Sequence, residues 1–333
     1  MTKRVLVTGG AGYIGSHAAH ALVDRGDEVV IIDRLSTGFD WLVPAAADLV
    51  VADIGDTERV ASLLQDGGFD AIMHFAGSIV VPESVADPLS YYENNTVKSR
   101  GLIECAVRAG VPHFVFSSTA AVYGSVGSEP VAEDTPLRPE SPYGSSKLMT
   151  EIMLADAARA HDLTYGVLRY FNVAGADPAG RTGQSTKGAT HLIKVAVEAA
   201  VGKREGIEIF GEDYQTADGT CVRDYIHVTD LVAAHLLALD RLRDGGDSLT
   251  ANLGYGHGFS VKEVLQTVDD VAGPIRKTMG PRRPGDAASI VADASKARRE
   301  LNWQPQHDDL TGIVEDALRW ERHLQTRNEA TTN

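Results

Sequence analysis

The chain has 333 residues, 43 % of them hydrophobic, with 46 acidic against 31 basic side chains and a formal net charge of −15. That length calls for one large domain or two closely joined ones, and the charge argues against a general role on nucleic-acid backbones. No apolar run approaches the ~20 residues of a membrane span, the run after Lys3 and Arg4 stops too soon for a signal-peptide core of ~7–15 residues, and Cys105 and Cys221 alone give no disulfide framework, so a reduced cytoplasmic enzyme fits.

The first predicted strand, Arg4–Thr8, is followed by an amphipathic helix over Ile14–Arg25. The segment between and into them, Gly9-Gly10-Ala11-Gly12-Tyr13-Ile14-Gly15, has glycines at 9, 12 and 15. In a strand–turn–helix context that pattern reads as a dinucleotide turn. Gly9 permits a tight turn, Gly12 lets the backbone approach a pyrophosphate, and Gly15 allows the helix to pack closely on the strand. The helix N-terminus then offers N–H groups and a positive dipole end to phosphate. A second strand, Glu28–Asp33, ends on an acid eighteen residues beyond Gly15. A carboxylate there can accept from an adenosine ribose and repels a 2′-phosphate, which favours NAD over NADP. Arg34 beside it is, however, the residue type that accommodates such a phosphate.

Strands are predicted next at Leu49–Asp53, Ala71–Phe75, His113–Ser117 and Thr164–Tyr170, separated by helices over Thr57–Gln65, Ser90–Ala109 and Tyr143–His161. This alternation predicts a Rossmann-type α/β fold, a doubly wound parallel sheet with its ligand crevice at the strand C-terminal ends. Beyond Asn172, glycine and proline become frequent around 175–188. We therefore expect residues 1–175 to form the NAD-binding domain, with 223–256 returning to it through a helix over Asp230–Leu242 and a strand over Thr250–Leu253. Residues 176–222 and 257–325 are then a smaller C-terminal α/β domain, with the polar end from Thr326 frayed.

Tyr143 and Lys147 stand four residues apart at the start of a helix, so phenol and ammonium share one face. A free phenol has a pKa near ~10. Lys147 and a positive nicotinamide ring both favour phenolate, which would make Tyr143 a general base near neutral pH. Ser117-Ser118-Thr119 closes the fifth strand and brings a hydroxyl to the same crevice.

These segments, with His74-Phe75-Ala76-Gly77, Tyr91–Asn95, Phe116–Gly124, Arg169-Tyr170-Phe171-Asn172, Asp218–Val228 and Pro281–Asp286, carry a resemblance that runs from about residue 4 to about residue 322. The chain resembles the extended short-chain dehydrogenase/reductases, and among them it is similar to the UDP-glucose 4-epimerase family. The resemblance implies an isomerase of galactose metabolism that inverts C4 of UDP-glucose and UDP-galactose through a transient 4-keto sugar and NADH. It places Tyr13, Ile14, Asp53, Ile54, Phe75, Ala76, Gly77, Asn94 and Tyr170 on the cofactor, Thr119 and Tyr143 at the sugar O4, and Asn172, His191, Leu192, Phe210, Arg223, Arg283 and Asp286 on the UDP part. Ile290 would border the sugar 2-position, smaller than the tyrosine that closes this pocket to N-acetyl sugars, and a homodimer would pair through the helices near Ser90–Ala109 and Tyr143–His161 with Leu148, Met149, Ile152 and Met153. Two positions depart from the family pattern: Ile79 stands in place of a lysine and His191 in place of an asparagine. The alternatives are an epimerase for UDP-N-acetylglucosamine, a nucleotide-sugar dehydratase, and a non-catalytic NAD-binding protein. Ala120 and Ala121 stand where similar dehydratases carry an Asp-Glu pair, and neither can transfer a proton. No metal site is expected.

Overall fold

The computed structural model describes residues 3–127, 129–283 and 286–332. Seven strands form one parallel sheet: β1 (Arg4–Thr8), β2 (Glu28–Asp33), β3 (Asp48–Val51), β4 (Ala71–His74), β5 (His113–Ser117), β6 (Thr164–Tyr170) and, after an excursion, β11 (Leu249–Leu253). Their order across the sheet is β11-β6-β5-β4-β1-β2-β3. The chain leaves β1 towards β2 and β3, then crosses back to β4 and beyond, so strand order reverses at β1 and opens a crevice there.

The strands are short apolar runs because both sheet faces are covered. Side chains alternate between faces: Val5, Val7, Val29, Ile31 and Met73 enter one core cluster with Ala19, Leu22 and Leu231, whereas Leu6, Val30, Ile32, Ile72 and Phe114 enter the other with Val60, Leu64 and Leu102. The first layer is supplied by α1 (Tyr13–Asp24) and α8 (Val228–Arg243), the second by α2 (Thr57–Gly67), α5 (Lys98–Ala109) and α6 (Pro142–Ala160).

Two expectations need correction. The helix expected over Ser90–Ala109 is broken into α4 (Pro88–Tyr91, after the short α3, Val81–Ala86), a π-helical stretch (Tyr92–Val97) and α5. The wider turn lets two consecutive asparagines serve one loop. Asn94 Nδ2 donates to Ser78 Oγ at 2.9 Å, and Asn95 accepts from Ser78 N at 2.8 Å while donating to Ser78 O at 2.9 Å. The polar end expected to fray from Thr326 instead continues a helix that runs over Leu310–Thr332.

Beyond Asn172 the chain builds three small sheets. β7 (Asn172–Ala174) pairs with β10 (Tyr225–His227), β8 (Ile207–Phe210) pairs with β13 (Lys277–Gly280), and β9 (Val222–Arg223) lies between β12 (Phe259–Ser260) and β14 (Ser289–Ile290). Helices α7 (Leu192–Ala200), α9 (Val261–Ala272), α10 (Ser295–Glu300) and α11 (Leu310–Thr332) surround them. The chain after β2 folds back over the glycine turn, where Phe39 N donates to Ala11 O at 3.0 Å. Trp41, two residues on, stacks on Trp320 of α11 with ring centroids 6.2 Å apart, in a cluster with Phe39, Leu42, Ala176 and Leu324.

Asp230, at the start of α8, is buried and organises the loop before α11. Its carboxylate accepts from Tyr255 OH, Gln306 N and His307 N, each at 2.8 Å, and its carbonyl accepts from Trp303 Nε1 at 3.0 Å. Trp303 is among the largest fully buried side chains. Trp303→Ala is expected to destabilise the protein by about 3–5 kcal/mol through the cavity it leaves, read as a lower urea midpoint at unchanged slope.

Candidate active site

The glycine turn is built on close backbone approach. Gly9 has φ +69°, and a Cβ there would stand 2.6 Å from Ala76 N; a Cβ on Gly15 would stand 2.2 Å from Gly9 O. Gly15 thus docks α1 on the turn itself rather than on the strand. Gly12 is the N-cap of α1 and has no side chain to block the N–H groups that follow. The Tyr13 hydroxyl donates to Gly175 O at 2.7 Å, tying α1 to the chain beyond β7 and leaving Tyr13 and the half-buried Ile14 to offer backbone N–H groups.

Asp33 accepts from Ala11 N at 3.0 Å and Leu35 N at 2.8 Å, which fixes its carboxylate at the crevice edge. Arg34 is turned away onto Asp53 (3.1 Å) and Ser36 (3.0 Å). Burial works to raise the Asp53 carboxyl, but hydrogen bonds from Lys98 (2.7 Å), Gly55 and Arg34 outweigh it and hold it below its ordinary value. Ile54 is a core side chain packed with Val60 and Leu64, so only its backbone or edge remains for a ligand. Across the crevice, Phe75 packs on His235 with centroids 5.2 Å apart. Ala76 N lies 3.4 Å from Thr8 Oγ1. Gly77 faces Asn95 and Lys147: a Cβ on it would lie 3.1 Å from Asn95 Oδ1 and 3.6 Å from Lys147 Nζ. Ile79, two residues on, is half exposed and brings no charge of its own to this edge.

Ser141 caps α6 by accepting from Gly144 N at 3.2 Å, with Pro142 in the first turn. The helix then turns Tyr143, Lys147 and Glu151 inward at successive four-residue steps, all three buried. Lys147 Nζ donates to Ser117 O at 3.1 Å and lies 4.9 Å from the Phe116 ring centroid. Burial pushes the Lys147 ammonium down to about 8, opposed by the nearby Glu151 carboxylate. Burial pushes the Tyr143 phenol above its ordinary value, opposed by a hydrogen bond with Thr119. In the protein alone desolvation wins, so a phenolate here depends on a positive ligand. Thr119 is buried beside it, and the Tyr170 hydroxyl lies 2.8 Å from Ser117 Oγ, its pKa raised by burial and by Tyr143.

A second group gathers on the small sheets. Asn172, His191 and Leu192 line one cavity with Gln184 and Lys194. His191 is the N-cap residue of α7; its Nδ1 lies 2.9 Å from Gln184 Nε2, and burial lowers its pKa, so it is neutral at pH 7. The Arg283 guanidinium lies 3.8 Å above the Phe210 ring centroid. Arg223 donates to Ala287 O at 2.8 Å and stands 3.6 Å from Asp286. Pro284 and Gly285 of the same run lie outside the described residues. Ile290 pairs with Arg223 in register and packs among Val122, Tyr123, Val131, Leu148 and Phe171. Ile290 thus packs on core side chains at the position that the resemblance puts beside the sugar. Sequence reasoning passed over Gln184 and Glu151. Only Glu151 had a signal, the repeated four-residue step after Tyr143 and Lys147.

The comparisons agree with this geometry. A model described as the NAD dependent epimerase/dehydratase family matches residues 5–254. The chain is 58 % identical over 325 residues to UDP-glucose 4-epimerase of Azospirillum brasilense, covering 97 % of this chain and 93 % of that one. A UDP-glucose-4-epimerase structure from Stenotrophomonas maltophila, with bound NAD and formylated UDP-arabinopyranose, superposes with a TM-score of 0.94 at 43 % identity, covering 98 % and 99 % of the two chains. The UDP-Glc/GlcNAc 4-epimerase of Campylobacter jejuni superposes at 0.85 with 46 % identity, covering 96 % and 99 %.

Proposed function

The chain belongs to the NAD dependent epimerase/dehydratase family, and on that premise we propose that it interconverts UDP-glucose and UDP-galactose by inversion at C4. The observation that carries the reading is the meeting of Tyr143 and Thr119 beside Lys147, across the crevice from a glycine turn open to a dinucleotide. Ala120 and Ala121 follow Thr119 and provide no acid for an elimination. Residues 1–175 with 223–256 form the NAD-binding part, supported by the return of α8 and β11 to the main sheet; 176–222 and 257–325 form the UDP-sugar part.

The residues present fit NAD: Gly9, Gly12 and Gly15 leave the space a pyrophosphate needs, and Asp33 stands where a ribose would be held. Gly77, Asn94 and Tyr170 line the far side of the same crevice. When bound, NAD would supply the hydride acceptor and donor that inversion at C4 needs. Tyr143 removes the proton from O4 and returns it after the sugar has turned, with Thr119 sharing that hydrogen bond. Lys147 holds the strand end through Ser117 O and adds positive charge to the pocket. Asn172, His191 and the N-terminus of α7 hold the diphosphate, Phe210 and Arg283 the uracil end, and Arg223 with Asp286 the remainder. Binding energy then resides in UDP, remote from the reacting carbon, which lets the keto sugar turn without escaping.

No helix among the described residues is long and apolar enough to cross a membrane, which with two free cysteines supports a cytoplasmic setting. A homodimer is supported by Val97, Met149 and Ile152, exposed by 51 %, 42 % and 52 % along the π-helical stretch and α6. Leu148 and Met153 pack inward instead and are removed from that face.

Purified protein is expected to release NAD on denaturation and to convert UDP-galactose without added cofactor; a requirement for added NADP would overturn the reading. Tyr143→Phe should lower kcat by at least ~100-fold while UDP binding, followed by calorimetry, is kept. Light scattering at micromolar concentration should give a dimer mass, and Ile152→Glu should reduce it to that of a monomer. Because Ile290 is shorter than tyrosine but stiff, weaker activity on UDP-N-acetylglucosamine is expected, and Ile290→Tyr should lose it relative to UDP-glucose; equal losses on both sugars would clear Ile290 as the gate.

A further inference from the structure

Behind Tyr143 and Lys147 lies a buried ion pair that the reaction as derived does not use. Glu151 is 7 % exposed and Arg169 of β6 is 5 % exposed. The pair is bidentate: Arg169 Nε stands 3.1 Å from both Glu151 oxygens, and Nη2 donates to Oε2 at 2.6 Å. Arg169 Nη1 donates to Tyr123 OH at 2.9 Å, and Tyr123 donates to Asn252 of β11 at 2.7 Å, so the guanidinium is anchored across two strands. The other bond to Glu151 comes from the fully buried Ser118, whose hydroxyl donates to Oε1. Ser118 sits between Ser117, whose carbonyl holds Lys147, and Thr119, which hydrogen-bonds Tyr143.

We propose that Glu151 is a positioning residue for the reacting pair: anchored by Arg169, it fixes through Ser118 the strand end that presents Ser117 O and Thr119, and it supplies the anion that balances Lys147. The inference rests on the function proposed above. Two effects follow from the geometry. A displaced strand end moves the Thr119 hydroxyl off the sugar O4 while the UDP contacts, on other elements, stay in place. Loss of the carboxylate charge leaves Lys147 facing no anion among the described residues. The other groups around it are Tyr143 one turn earlier on its own helix, the Ser117 carbonyl and Phe116 ring of β5, and neutral His74 of β4, with Arg169 held beyond Glu151. Burial and the Lys147 charge push His74 down to about 3, so it adds no second positive charge beside Lys147.

The test uses the NAD-loaded full chain. Ser118→Ala removes the tie to the strand end and leaves the ion pair. It should lower kcat about 10-fold with KM for UDP-galactose nearly constant, and leave the titration of Lys147 unchanged. Glu151→Gln keeps the shape and removes the charge. It should lower kcat further and move the Lys147 titration to lower pH by about one unit, followed by NMR of ¹³Cε-lysine with the resonance assigned by its loss in Lys147→Arg. A Ser118→Ala enzyme with wild-type kcat overturns the proposal, whether or not Glu151→Gln folds. So does a Glu151→Gln protein in which Lys147 titrates as in wild type, or in which kcat falls only in step with bound NAD. Failure of the wild type to turn over UDP-galactose would instead overturn the proposed function, and the Lys147 titration would still decide the role of Glu151.

Discussion

Three stretches of backbone meet at Gly9 with no side chain between them. The turn leaves β1, the first turn of α1 rests on the Gly9 carbonyl, and the loop after β4 brings Ala76 against the Gly9 Cα. Any Cβ at position 9 or 15 would overlap main chain that cannot yield, because each segment is the end of a buried element. Everything that faces the crevice takes its position from this contact. It sets the direction of the α1 N–H groups, it puts Asp33 within reach of Ala11 N, and it brings Gly77 against Lys147.

The second determinant is the end of β5. Ser117, Ser118 and Thr119 are successive residues tied to different partners: Lys147 and Tyr170, Glu151, and Tyr143. A strand end is normally where order fades into loop. Here buried polar groups that must each find a partner hold it in one geometry. The same principle explains the break before α5, where Asn94 and Asn95 clasp the Ser78 loop at the expense of regular helical bonding.

Much of this was legible in the sequence, for identifiable reasons. Glu28–Asp33, His113–Ser117 and Thr164–Tyr170 agree with the structure to the residue; burial on both faces makes the first two apolar runs between polar stops, and the third keeps an apolar centre before the buried Arg169. The return of Thr250–Leu253 to the sheet was legible as a helix–strand repeat. Three features were not. Ile54 follows Asp53 in sequence but points into the core, since an apolar side chain at a strand end carries no mark of which way it turns. Leu148 and Met153 share α6 with Met149 and Ile152 but pack inward, a distinction that depends on what lies across the helix. The Tyr143 phenol is governed by desolvation, a property of its surroundings rather than of its spacing from Lys147.

The stack of Trp41 on Trp320 joins residues far apart in the sequence. The loop that bears Trp41 covers the glycine turn through Phe39 N and Ala11 O, so its support comes from α11. On a ribosome, Trp41 lies without this stacking partner until Trp320 has been made, so a chain interrupted between the two holds its glycine turn under a cover that lacks the support of α11.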